Sequence, residues 1–444
     1  MSDSTIVQST QFVINELKIY TKNISVPSID VRFIYEEINL FDSIFTPCLS
    51  GNIVIRDALG LSDMFLFDGS ETIYIKISKD VESDEAIIEK TFRIYKQTNR
   101  TNTNMASEVY TLHFISEEFI LSEQQKVSQA FTDQYSVAAY QILKNYLNVP
   151  STDFGLIDNS FGIKKFIVPM LRPFDAIDWL ARRSVDEQGS PNFIFFQNKL
   201  GFNFARLSSL YALPPIGTVN FNPKNITEDV VDELWGARYI KVLDQFDSIR
   251  NTRAGVYASK FVGFDAVTRS IGQLNINNVD TFQSMTHTNK TQNVGVFKNR
   301  QNKTNIEMHD SKVTYYPYSS NQGEVDYIKE RDPVSIQHDD DTYRYILQRQ
   351  AIVQNLLNQR VQIVLPGNFN VSSGFTVQLE MPTRSERETG QSAQDGLDSS
   401  INGKYIIIAA HHIIRQEKHE VIIEVATDSS NKDAVYEGIE TQRI

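Results

Sequence analysis

The chain has 444 residues, a formal net charge of −12 and one cysteine, Cys48. This length exceeds what one ordinary core supports, and a hydrophobic content of 41% can fill about two to four domains. The acidic balance argues against a general nucleic-acid binder, and one cysteine excludes an internal disulfide framework or a cysteine-based zinc site. Neither a membrane-spanning apolar run nor a secretion signal is found, so we expect synthesis in a reducing cytoplasm.

Residues 1–121 are predicted to form a first β-domain. β-Branched and aromatic residues are dense in short runs that turn residues separate, which is typical of strands. The predicted strands are 12–19, 30–36, 51–56 and 72–78, followed by a hairpin of 92–98 and 109–116. The polar segment 98–107 is predicted to be the tip of that hairpin.

Residues 122–233 are predicted to form a small α+β domain. Apolar side chains recur at helical spacing over 133–147, and a second helix is expected from Pro173 to about residue 184. Proline suits the first turn of a helix, because it lacks the amide hydrogen that is unpaired there anyway. Residues 192–204 predict a hairpin that turns over 198–201.

Residues 234–430 are predicted to form a second β-domain, and 431–444 a tail. The segment 281–306 carries basic residues and no acid, which indicates a surface excursion or linker. The strand 360–365 should end at Pro366-Gly367, because proline cannot donate to a ladder. The other predicted elements are strands 237–243 and 255–264, helix 342–358, strand 376–381, and a hairpin of 405–414 with 421–427.

The two β-domains share a pattern that indicates duplication. Phe65, Gly69 and 72–77 align with Phe369, Ser373 and 376–381 at the same spacing. In each copy a polar, acidic loop follows (78–89 and 382–402), and a hairpin closes the unit. Chance similarity between two β-meanders is the alternative explanation.

His411 and His412 are the most obvious candidates for a metal site. Adjacent residues on a strand point to opposite faces, so the two rings are not expected to share one ion. The segment from His338 to Asp341 offers oxygen ligands, but it lacks the glycine and distal glutamate of a calcium loop. Acids there suit the start of the helix that follows.

Asp175 and Asp178 could form a carboxylate pair for hydrolysis, but acids are ordinary in the first turns of a helix. No nucleophile elbow, phosphate loop, dinucleotide fingerprint or zinc-protease motif occurs. The basic residues of 281–306 are too sparse to favour a phosphate site over a solvated loop. We therefore predict no catalytic residue, no cofactor, no metal and no enzymatic activity.

Several segments resemble the central baseplate hub proteins of contractile-tailed phages and the related spike proteins of type VI secretion. The likeness is strongest over about 355–428 and moderate over 30–120. The segments that carry it are 358–367, 374–379 and 403–408 near the C-terminal end, 33–38 and 51–56 in the first domain, and 172–181 in the middle.

The resemblance implies a mainly β fold with an α+β insertion, namely two tail-tube-like β-barrel or sandwich domains plus a small α+β domain. It implies a homotrimeric, pseudo-hexameric ring in the virion baseplate, made in the host bacterial cytoplasm. The ring would join the tail tube or a tube initiator above to a separate trimeric spike below, with the tape-measure protein and baseplate wedge as further neighbours. DNA would pass an acidic channel without specific binding. The alternative is a β-sandwich protein that binds or degrades carbohydrate.

Overall fold

The computed structural model describes residues 12–22, 28–61, 67–78, 86–104, 107–221, 234–265, 269–277, 282, 285–292, 310–318, 337–338, 342–382, 398, 400–416 and 418–431. Its α-helices are α1 (Glu117–Gln124), α2 (Tyr135–Tyr146), α3 (Pro173–Arg183), α4 (Leu207–Ala212), α5 (Ser248–Ala254) and α6 (Thr342–Leu356). No helix in these ranges is long and apolar enough to cross a membrane.

The strands of the N-terminal and middle parts are β1 (Val13–Tyr20), β2 (Ser28–Asp30), β3 (Tyr35–Ser43), β4 (Ser50–Asp57), β5 (Thr72–Ser78), β6 (Ala86–Asn104), β7 (Ser107–Ser116), β8 (Ala130–Asp133), β9 (Phe154–Ile157), β10 (Lys164–Ile167), β11 (Phe193–Asn198), β12 (Gly201–Arg206) and β13 (Pro215–Phe221). Those that follow are β14 (Gly236–Ala237), β15 (Tyr239–Asp244), β16 (Ala258–Asp265), β17 (Ser270–Asn277), β18 (Thr291–Gln292), β19 (Lys312–Tyr318), β20 (Gln337–His338), β21 (Gln359–Pro366), β22 (Thr376–Glu380), β23 (Gly403–Arg415), β24 (Lys418–Thr427) and β25 (Ser429–Ser430).

One large sheet contains two sets of strands with the same order. The first set runs β3-β4-β7-β6-β5-β1, and the second runs β15-β21-β24-β23-β22-β13. Taken in chain order, the members of the two sets correspond one to one. All neighbouring pairs are antiparallel except the last pair of the second set, where β13 runs parallel to β22. We call these sets the first and second β-units.

Each β-unit encloses its own apolar core. In the first, alternate residues of β5, such as Ile73 and Ile75, are fully buried against β4 and β7. In the second, Val361 and Ile363 of β21 have the same role. Burying a side chain of this size contributes roughly 1.5–3 kcal/mol. The core of the first unit also contains Phe369 and Ile414 of the second, so it stabilises the contact between the units as well.

The middle of the chain packs helices α2 and α3 against the β11–β12 hairpin. Pro173 is the first residue of α3, and Phe174, Ile177 and Leu180 form its buried face. The hairpin supplies Phe193, Phe195, Phe202 and Phe204 to the same core. The predicted helices and hairpin are confirmed here.

Helix α6 connects the middle part to the second β-unit. Its Ile352 and Leu356 pack with Phe196 of the hairpin and with Ile406 and Ile408 of β23. The helix then leads into β21 within three residues, as the sequence predicts. A smaller sheet, β17-β16-β19, lies in the chain between β15 and β21.

The mainly β fold with a smaller α+β part is confirmed, but three local predictions are wrong. The strand expected at 30–36 is interrupted, because Arg32 donates to both carboxylate oxygens of Asp30 and the chain turns so that Tyr35 donates to the Val31 carbonyl. The polar segment 98–107 is not merely a hairpin tip, since β6 continues through it to Asn104. Residues 215–221, assigned to the α+β domain, form β13 and pair with β22.

Candidate assembly interface

The two β-units agree at the level of single residues. Ile94 of β6 donates its backbone N–H to the Glu71 carbonyl (3.0 Å), and Ile407 of β23 donates to the Phe375 carbonyl (2.8 Å). Glu71 and Phe375 directly precede β5 and β22. One residue after each isoleucine, the ladder to the next strand shifts by one position, as in a β-bulge. The units are therefore equivalent in register as well as in strand order.

β23 joins the two β-units edge to edge. Its first residues pair with β22, and from Ala409 to Arg415 the same edge pairs antiparallel with β3 of the first unit. The backbone N–H of Ile44 donates to the Ile408 carbonyl (3.0 Å), which extends this ladder by one position. The two units thus form one continuous sheet, and we call the β23–β3 contact the internal junction.

Polar side chains fix the register on one face of the internal junction. His411 stacks on Phe41 with ring centroids 4.4 Å apart, and its Nε2 lies 2.7 Å from the Asn39 side-chain oxygen. Arg415 donates to Glu37 at 2.8 Å. Burial opposes ionisation of Glu37, but hydrogen bonds from Asn39 and Arg415 lower its pKa. A slip by one residue would separate all of these pairs.

The opposite face holds a buried carboxylate. One oxygen of Asp42 accepts from the Ser372 hydroxyl and from the Ser373 backbone N–H (2.9 Å). Its other oxygen is buried without a hydrogen bond to any residue in the described ranges. Burial raises the pKa of Asp42 to about 6, against these hydrogen bonds. Burial also lowers the pKa of the nearby Lys199, which the Asp42 charge opposes.

Two histidines lie behind this carboxylate. His412 Nδ1 is 3.2 Å from His419 Nε2, and His412 Nε2 is 3.1 Å from the Val371 carbonyl oxygen. His419 stacks on Phe369 at 4.0 Å between centroids. Burial lowers the pKa of His412 to about 4; burial and the neighbouring His412 lower that of His419 to about 2. Both rings are therefore neutral near pH 7.

A cavity of ≈ 110 Å³ opens beside these groups. Its lining combines residues of the first β-unit, the second β-unit and the middle part. They include Leu40, Asp42, Phe92, Lys199, Phe369 and His412. The tip of the β11–β12 hairpin closes one side, where Asn198 donates to the Ser373 carbonyl (3.0 Å) and Lys199 donates to the Phe369 carbonyl (3.3 Å). The middle part therefore braces the internal junction.

The structure separates the histidine pair that the sequence singles out. His411 contacts Asn39 and Phe41, whereas His412 contacts His419 and Val371 on the other face. Their separation by strand geometry is confirmed.

The acid pair is explained by the helix. Asp178 forms an ion pair with Arg182 one turn further along α3 (2.6 Å), and Asp175 lies in the first turn. This arrangement is an ordinary helix surface.

The other sequence candidates lie mostly outside the described ranges. His338 belongs to β20 beside β10, whereas Asp339–341 and the basic residues of 293–306 lie outside. Residues 285–292 lie inside, and they differ from the predicted surface excursion. Thr288 is buried and binds the Asp428 carboxylate (2.8 Å), and Asn289 donates to the Lys404 carbonyl (3.0 Å).

Sequence reasoning missed Asp42, Lys199 and His419. One signal for Asp42 was available, since it continues the inward alternation of Ile38 and Leu40 in β3, where a carboxylate is out of place. Nothing local could have indicated Lys199, because its partners lie about 170 residues away in sequence.

No protein-family model matches the chain, and a search of curated proteins finds no match either. The fold is similar to that of a tail protein from Neisseria meningitidis, with a TM-score of 0.53 and 11% identity over 94% of this chain and 97% of that one. It is also similar to the 43 kDa tail protein of prophage MuSo2 from Shewanella oneidensis, with a TM-score of 0.52 and 8% identity over 93% and 98%. The expected fold likeness to phage tail proteins is confirmed.

Proposed function

We propose that this chain is a structural subunit of a phage-type tail baseplate, and that it forms its central hub. The observation that supports this most is the repetition of one β-unit within a chain whose fold is that of tail proteins. A hub must connect a sixfold tube to a threefold spike, and homo-oligomers close under point-group symmetry. Three chains with two β-units each present six near-equivalent surfaces.

The domain division that goes with this proposal follows the strand pairing. The first β-unit ends near Ser116, the middle part spans α1 to α4, and the second β-unit begins at β13 instead of residue 234. In the ring, the two β-units alternate and the middle part lies outside them. The tube or tube initiator binds one side of the ring, and a separate spike protein binds the other.

The proposed role is structural. Asp175 and Asp178 are accounted for by the helix surface, and the acidic balance of the chain suits a channel wall that does not retain DNA. The tape-measure protein and the baseplate wedge are the remaining partners that this role implies. The acidic lining of the channel stays a prediction.

Imaging tests the proposal directly. Tail particles that carry the chain, labelled with an antibody or a fused domain, should show it at the junction of tube and spike. Averaged top views of that layer should show threefold symmetry with six similar lobes. A location on the tube wall or tail fibre, or a layer without threefold symmetry, would refute the hub assignment.

A further inference from the structure

The internal junction has a counterpart on the outside of the chain. In the second β-unit, the half of β23 beyond β22 binds β3 of the first unit. The equivalent half of β6 extends beyond β5 as residues Lys96–Asn102, and the equivalent of β3 is β15. Among the described strands, this half of β6 pairs with β7, and β15 pairs with β21. Along its other edge, neither of the two has a partner among the strands that the structure describes.

We propose that the outer half of β6 pairs with β15 of a second copy of this chain, so that the internal junction is repeated between subunits. The partner is a second copy because the same kind of contact already occurs inside the chain. There β3, the equivalent of β15, binds β23, the equivalent of β6. This inference rests on the proposed ring, in which the two β-units alternate, and it assigns the contact that closes the ring.

Equivalent residues give the register of this pairing. Thr98 corresponds to His411, because both stand opposite equivalent residues of β7 and β24. Asp244 corresponds to Phe41, because Asp244 is the last residue of β15 that pairs with β21 and Phe41 is the last residue of β3 that pairs with β4, at equivalent positions. His411 lies opposite Phe41 in the internal junction, so Thr98 lies opposite Asp244 of the neighbouring subunit.

Both edges carry one residue more than the internal junction has, and the two extra residues lie at the same level. On β6 the extra residue falls between Thr98 and Thr101, where Asn99 has a left-handed backbone (φ 55°). On β15 it falls between Val242 and Asp244. Because the insertions match, the pairing continues beyond them with Thr101 opposite Lys241 and Asn102 opposite Ile240. A single insertion on one strand would have broken the register.

The composition of β6 fits an edge that another strand covers. Its outer half is polar and lacks the apolar alternation of a core strand, and Thr101 and Asn102 are exposed. The affinity of such a contact comes from backbone hydrogen bonds, as in other cases of strand addition. This also accounts for a long strand of polar residues beyond the end of β5.

Engineered cysteines test the register. In the internal junction, Ile44 and Ile408 form a hydrogen-bonded pair, so Ile413 and Asn39 form a non-hydrogen-bonded pair, in which side chains approach most closely. Their equivalents are Thr101 and Lys241, both exposed. Opposed residues of this type have the Cα spacing of a disulfide. Cys48 is buried, and burial raises its pKa to about 12, so it does not compete.

The full-length Thr101→Cys/Lys241→Cys variant should form chain-to-chain disulfides on oxidation, and these should close into covalent trimers. Oxidation traps a transient pair too, so the trimer need not be stable in isolation. The matched control is Thr101→Cys/Tyr239→Cys, which is out of register by two residues on an exposed edge. We expect at least about tenfold more cross-linking in the first variant than in the control. Equal cross-linking, or none, would overturn the proposed pairing.

A proline variant gives an independent test. Gln97 corresponds to Ala410, whose N–H points towards β3, so Gln97→Pro should remove an outward donor and leave the ladder to β7 intact. We expect Gln97→Pro to unfold at the normal temperature but to lose the threefold ring, whereas Gln97→Ala should keep the ring. A threefold ring that survives Gln97→Pro without cross-links would refute this pairing and leave the hub proposal standing. A wild-type layer without threefold symmetry would refute the hub proposal itself.

Discussion

Ile94 and Ile407 make the same backbone hydrogen bond in two parts of the chain that share little sequence. Each donates to the residue that precedes the neighbouring strand, which is Glu71 in one case and Phe375 in the other. A charged residue and an aromatic residue occupy equivalent positions because the side chains meet different surroundings. The duplication is therefore preserved in backbone register, which strand pairing constrains more tightly than side-chain identity.

We predict that Asp42→Asn changes how stability depends on pH. The folded-state pKa of Asp42 lies near 6, above its ordinary value of 3.8. Between these values the folded protein holds a proton that the unfolded chain has lost, so wild-type stability falls as pH rises from about 4 to about 6. Relative to the variant, that fall should be on the order of 3 kcal/mol. Denaturant unfolding at several pH values measures it, and parallel curves would contradict the prediction.

His412→Gln should have the opposite effect on the same curve. Burial lowers the pKa of His412 to about 4, so as pH falls below about 6.5 the unfolded chain takes up a proton that the folded protein does not. Wild type therefore loses stability as pH falls from about 6.5 through 4. The variant should cost about 1–3 kcal/mol at neutral pH, because the buried Val371 and His419 groups lose a partner, but its curve should be flatter. An equally steep acid limb would show that His412 does not titrate there.

Arg349→Lys should weaken the attachment of α6 to the middle part. The half-buried Arg349 donates to the carbonyls of Phe193 and Ala181, and burial lowers the pKa of its guanidinium to about 10. Both bonds come from Nη1, and a lysine side chain is one bond shorter, so its ammonium ends short of the two carbonyls; we expect a loss of about 1–3 kcal/mol. The exposed Arg253→Lys is the control, and equal denaturation midpoints for the two variants would contradict the prediction.

The sequence predicted strands best where a strand alternates apolar with polar residues and pairs with a strand that is close to it in sequence. The hairpins of β6 with β7 and of β23 with β24 follow from alternation, and α3 follows from Pro173 and an apolar face. Two of the three wrong predictions, those for β13 and for the outer half of β6, have different physical reasons. β13 pairs with β22, about 160 residues away, so no local pattern assigned it to the second β-unit. The outer half of β6 is polar and lacks apolar alternation, so no periodic pattern marked it as a strand.

The internal junction could be predicted only in part. The opposite orientation of His411 and His412 follows from strand geometry alone. That β3 would be the neighbour of β23 depends on the arrangement of two units whose strands are about 370 residues apart in sequence. Such a contact leaves no periodic signal. The one local indication was Asp42, a carboxylate at an inward position of an otherwise apolar alternation.

The carboxylates of α3 should have no catalytic role. Asp178→Asn removes an exposed ion pair with Arg182 and should cost at most about 0.5 kcal/mol. Purified protein should not turn over peptidoglycan or polysaccharides, as measured by release of reducing ends. Turnover that disappears in Asp175→Asn or Asp178→Asn would contradict the structural role and support the glycan-degrading alternative.

Gly217→Ala should destabilise the second β-unit through one steric contact. Gly217 lies in β13, and a Cβ added to it would lie 2.0 Å from the ring of Trp235, which is itself buried in the core of that unit. Because the ring would have to shift, we expect a loss of about 1–3 kcal/mol, seen as a lower Tm. Thr218→Ala, the next residue of β13, is the control. Trp235→Phe shortens the ring system, so the double variant should lose less than the sum of the single variants. Strict additivity would mean that Gly217 is needed for a reason other than the close approach of Trp235.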